Sequence, residues 1–60
     1  MTYKSFHLSD RIIRYEEGRA DEDEIRELFQ YLIDTGLAWE LQGSYGREAS
    51  RLIEAGVCTP

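Results

Sequence analysis

The chain has sixty residues, a formal charge of −5, one cysteine and one histidine. That length allows a single small domain, and that inventory excludes an internal disulfide and a zinc site of ordinary Cys/His make-up. No stretch approaches the roughly 18 apolar residues of a membrane span, and the start, MTYKSFHLSDR, lacks the apolar centre of a secretory signal.

A first helix is expected from a cap at Ser9 or Asp10 to about Glu17, with Leu8, Ile12, Ile13 and Tyr15 as its apolar positions and Gly18 as its stop. Asp21 then stands three residues before Glu24, the spacing of a capping box. The acids of that first turn also suit the positive end of a helix dipole. A second helix comes next, over about 22–34. Its Ile25, Leu28, Phe29, Leu32 and Ile33 fall at i, i+3, i+4, i+7 and i+8, one helical face. Gly36 supplies a left-handed cap.

Residues 37–41 have room for little more than one helical turn before Gly43 breaks it. Ser44 can cap a last helix over about 45–55, in which Tyr45, Ala49, Leu52 and Ile53 share a face and Gly56 is the stop. No sustained alternation of β-branched and polar residues competes, and there is no Asn-Gly or Asp-Gly hairpin turn. The expected fold is all-α: a compact bundle of three main helices with a short connecting helix. Residues 1–60 form one domain in this reading, with 1–8 and 57–60 flexible. So small a chain buries only about 60% of the surface it exposes when unfolded, so tight helix packing or association is expected to supplement the core. A lone thiol fits a reducing cytoplasm.

Charge is unevenly spread. Residues 1–15 carry a local +2, whereas residues 16–27 carry −5 through Glu16, Glu17, Asp21, Glu22, Asp23, Glu24 and Glu27 against Arg19 and Arg26. An acidic run can hold a divalent cation, but this one lacks the alternating acids, glycine and distal glutamate of a calcium loop. It reads instead as a helix-cap cluster with a solvated face, or as an acidic docking surface.

Gly43-Ser44-Tyr45-Gly46-Arg47 precedes a helix and could hold an anion on backbone N–H groups. The simpler reading is a turn, a cap, and a glycine that lets two helices approach. A helix-turn-helix would read DNA with residues 47–55, but Arg47 and Arg51 there are offset by Glu48 and Glu54, and a DNA reader needs a basic footprint. No nucleophile–base pair is supported. Neither a catalytic role, a cofactor nor a metal is expected.

Phe29 belongs to the core stripe. Trp39 is expected in the core or half-buried, with its N–H reaching a partner. Tyr31 lies off the Ile25/Leu28/Leu32 stripe and is expected to be exposed, while Tyr45 sits at a turn. Exposed aromatics near arginine are common at interface hot spots. Glu22, Asp23, Glu27, Tyr31, Trp39, Tyr45 and Arg47 are therefore the expected partner-binding residues.

The segment DTGLAWELQGSYGR at residues 34–47, with the later helix ending LIEAG, resembles a family of very short, uncharacterised proteins of tailed bacteriophages. The likeness covers about residues 15–58. It implies a protein made in the cytoplasm of an infected bacterium, one that binds and modulates or inhibits a host protein such as a nucleic-acid-handling or defence factor. No membrane association and no direct nucleic-acid contact are expected. A self-associating accessory protein, or a helix-turn-helix regulator, would be the alternatives.

Overall fold

The computed structural model describes residues 7–60. Helix α1 runs Leu8–Glu16, α2 runs Glu22–Thr35, a 3₁₀ turn spans Leu37–Trp39, and α3 runs Gly43–Glu54. No strand occurs among the described residues. The Cα radius of gyration is 10.6 Å, close to the ~10 Å of a compact chain of this length. The all-α bundle with its short connection is the observed architecture. No helix among the described residues is long and apolar enough to cross a membrane.

Helix α2 is the central element. Asp21 accepts the Glu24 N–H at 2.9 Å, and the Glu24 carboxylate accepts the Asp21 N–H at 3.0 Å, closing the capping box in both directions. Leu28, Phe29, Leu32 and Ile33 are buried along its length, each such side chain contributing about 1.5–3 kcal/mol. At its far end Gly36 takes φ +83°, and its N–H bonds the Ile33 carbonyl. That left-handed residue turns the chain directly into the 3₁₀ turn, which packs against both α2 and α3 and buries Ala38 completely.

The N-termini of α1 and α3 depart from expectation. The N-cap of α1 is His7, without a side-chain cap bond, and Ser9 and Asp10 lie inside the first turn. The earlier start gives α1 a stripe of Leu8, Ile12 and Tyr15, spaced i, i+4, i+7, packed against the core. Ile13 lies about 100° around the helix from Ile12 and is 52% exposed, so it is not part of the core face. In α3 the N-cap is Gln42, again without a side-chain bond, and Ser44 sits one residue into the helix rather than capping it.

The end of the chain, expected to be flexible, is laid against α2. After Gly56, at φ +79°, the Val57 and Cys58 N–H groups both bond the Leu52 carbonyl. Cys58 is buried, and its thiol points at the Arg26 carbonyl, 3.8 Å away. The Gln30 side-chain amide then pairs with Thr59 as a backbone would: it donates to the Thr59 carbonyl and accepts the Thr59 N–H, each at 2.9 Å. Residues 1–6 of the other expected flexible segment lie outside the described residues.

Helix α1 is tied on by charge as well as by packing. Arg14 donates Nε–H to Glu24 Oε2 at 2.8 Å and an Nη2–H to Glu24 Oε1 at 3.0 Å, while Nη2 also reaches the Arg19 carbonyl at 3.2 Å. These bonds from Arg14, and then the Asp21 N–H, hold the Glu24 carboxyl down at about 2, from an ordinary 4.5. A carboxyl depressed in the folded state stabilises fully above its unfolded value, and that contribution is lost as pH falls toward the folded one. The stability advantage of the native chain over Glu24→Gln is therefore expected to hold at neutral pH and to shrink from about pH 4.5 down to about 2. Urea unfolding of both proteins across that range measures it.

Candidate functional site

Two groups of expected partner residues end up on different parts of the molecule. Glu22, Asp23 and Glu27 lie at the exposed start of α2. There the fold brings α1 arginines onto the acidic run. Glu27 pairs with Arg11 at 3.4 Å, Asp23 pairs with Arg26 at 3.3 Å, and Glu24 holds Arg14. The −5 of residues 16–27 falls to −3 once Arg11 and Arg14 are counted with it. Exposed pairs of this kind add little stability, yet they blunt the local field. Among the described residues, no three His, Cys, Asp or Glu side chains are grouped as a metal site would require.

Glu22 also lines a cleft of about 310 Å³ with Ile25, Arg26, Glu48, Arg51, Leu52 and Val57. Its lining combines apolar Ile25, Leu52 and Val57 with the Glu48–Arg51 pair. Nothing in the sequence pattern announces this cleft. It joins the first turns of α2 to the last turns of α3 and to Val57, in the tail expected to be loose, and no local signal relates those segments.

Tyr45 belongs to the core, not to a partner surface. It is 7% exposed and stacks on Phe29 at 5.9 Å with an interplanar angle of 20°. Its hydroxyl donates to the Glu16 carboxylate of α1 at 2.6 Å. Burial first, then the Glu16 carboxylate, pushes its phenol well above the ordinary value of 10. The helical stripe of α3 outweighed its place beside a turn. Tyr31 is also withdrawn from the surface: it is half-buried, packed against the core cluster.

Trp39 and Arg47 remain exposed, each reaching over a glycine in the first turn of α3. Trp39 ends the 3₁₀ turn with 53% of its surface exposed, and Leu41, two residues on, is 38% exposed. The indole N–H makes no hydrogen bond among the described residues, contrary to the expected partner. The ring rests over the start of α3: a Cβ placed on Gly46 would lie 3.7 Å from Trp39 Cε3 and 3.5 Å from the Ala38 carbonyl oxygen. A Cβ on Gly43 would lie 3.4 Å from Arg47 Nη1. Glycine at 43 and 46 thus leaves a bare strip of backbone, over which the ring and the guanidinium extend.

Gly46 was expected to let two helices approach, but its neighbour is the 3₁₀ turn, and a methyl group fits there at ordinary contact distance. Gly46→Ala is therefore expected to stabilise the protein by about 0.5–1 kcal/mol through helix propensity. Gly46→Leu should displace the indole and shift its emission, since Trp39 is the chain's single tryptophan. Urea unfolding and fluorescence spectra check both. At Tyr45, Phe should cost about 0.5–1.5 kcal/mol for the lost hydrogen bond, and Ala about 3–5 kcal/mol for the lost ring. Equal costs for the two would place the whole contribution in the hydroxyl.

No curated protein and no solved structure matches this chain. A family model does match, over residues 3–60, under the description domain of unknown function, DUF7417. With nearly the whole sequence covered, the chain belongs to the DUF7417 family.

Proposed function

We propose that this protein works by binding another protein, without catalysis, through the corner formed by Trp39, Leu41 and Arg47. The observation that carries this reading is Trp39: a large aromatic side chain left half in water by a chain that buries its other core-forming rings. Exposed tryptophan beside arginine on a fixed backbone is the composition of interface hot spots. The ring loses little freedom on binding because Gly46 and the 3₁₀ turn already support it.

In the fuller form of this proposal, drawn from the likeness to small tailed-phage proteins, the protein acts in the cytoplasm of an infected bacterium and occupies a host factor. The acidic start of α2, with Glu22, Asp23 and Glu27, would contribute a weaker electrostatic attraction to a basic partner. Its pairing with Arg11, Arg14 and Arg26 makes it secondary to the aromatic corner. The exposed Ile13 and Val57, at 52% and 44%, favour a second reading, a self-associating accessory protein.

Affinity capture from bacterial lysate with native protein, Trp39→Ala, and the triple reversal Glu22→Lys/Asp23→Lys/Glu27→Lys separates these readings. The expected result is one stoichiometric bacterial protein on the native bait. It should be lost with Trp39→Ala and only weakened by the charge reversals. A bait that captures only itself, and sediments as a dimer, would favour self-association.

A further inference from the structure

Resting on the reading of this corner as a protein-binding surface, we infer that its partner presents an apolar side chain beside a carboxylate. The apolar group would lie against the Trp39 ring and the carboxylate on the Arg47 guanidinium.

The first support is the unequal treatment of the arginines. Arg11, Arg14, Arg19, Arg26 and Arg51 each hold a carboxylate of this chain. Arg47 makes no ion pair among the described residues, although the chain has 12 acids against 7 basic residues. An arginine left without an acid on so acidic a molecule is a local positive spot, and it stands at the apolar corner.

The second support is position. Residues 43, 46, 47 and 50 succeed one another at i, i+3, i+4 and i+7, so they share one face of α3, with neighbouring positions about 5–6 Å apart. The guanidinium reaches over Gly43 and the indole over Gly46 on that face. One short segment can therefore touch both.

The third support is the sense of the hydrogen-bonding groups. The Trp39 indole N–H, the Arg47 guanidinium and the exposed Ser50 hydroxyl all have protons to give. Of these, the guanidinium calls for an anionic acceptor, and a carboxylate on it is the strong, directional case. Glu40 comes directly after Trp39 in the turn and is the acid nearest to it in sequence. The Arg47 guanidinium lies on α3, so the partner's acid is placed on that side. A nucleic-acid backbone fits poorly, because one cation on a chain of charge −5 cannot offset a run of phosphates.

The test uses the full chain against a random dodecapeptide library displayed on yeast, with Trp39 emission as the readout for each selected peptide. Enriched peptides should carry Asp or Glu within one helical turn of an aromatic or aliphatic residue. Arg47→Glu should weaken them roughly tenfold or more and, in a fresh selection, enrich Lys or Arg instead. Glu40→Gln should leave binding unchanged or tighter, and Trp39→Ala should abolish it.

Selected peptides that lack an acid, or that bind Arg47→Glu as well as the native protein, would overturn the inferred chemistry while leaving the corner as a protein-binding surface. Peptides that bind Trp39→Ala undiminished would overturn the site itself, and with it the functional reading. Failure to enrich any peptide would overturn the inference. So would a native dimer that Trp39→Ala dissociates, because the corner would then be covered by a second copy.

Discussion

The bundle turns on one ring. Phe29 has no exposed surface and is the point where the helices meet. Tyr15 of α1 approaches it edge-on at 5.2 Å, and Tyr45 of α3 stacks on it at 5.9 Å. A sixty-residue chain without a disulfide has little other means of holding its elements together. Aromatic pairs contribute beyond their buried area, and here they also join elements distant in sequence. The Tyr45 hydroxyl reaches Glu16, so the contact that completes the core also binds α1 to α3.

Glu24 plays a comparable part at the surface. Its carboxylate closes the N-terminus of α2 and receives Arg14 from α1. Helix capping and helix docking therefore depend on the same few atoms. This is where much of the chain's negative charge is used: acids that look available in a linear sequence are engaged by arginines from the neighbouring helix. Among the described residues Arg47 holds no carboxylate, and it stands at the same end of α3 as the aromatic that the core does not absorb.

How much the sequence disclosed depended on distance along the chain. Helix α2 was legible almost to the residue, because its capping box, its apolar stripe and Gly36 are all local signals. The starts of α1 and α3 were not. Ser9, Asp10 and Ser44 suit a cap, yet such residues also sit in a first turn, and packing of Leu8 decided the matter for α1. Tyr45 satisfied both a turn reading and a stripe reading, and only its neighbours in space distinguish them. The pairing of Gln30 with Thr59 spans 29 residues and that of Arg11 with Glu27 spans 16. Neither has a local mark. The candidate surface was legible in its two key residues, Trp39 and Arg47, but not in the glycine strip that joins them or in the α2–α3 cleft.

Helix α1 has no fully buried residue. Its hold on the rest includes half-buried Leu8, Ile12 and Tyr15, the Arg14 fork, the Arg11–Glu27 pair and the hydroxyl bond to Glu16. Elements with so little complete burial occupy the low end of a protein's local stability range. Its amides are then the first of the three helices' to exchange with solvent. Each such opening bares Phe29 and Tyr45 together, so the weakest helix is also the cover over the most deeply buried ring. For a cell's proteases, the route into this protein begins at α1.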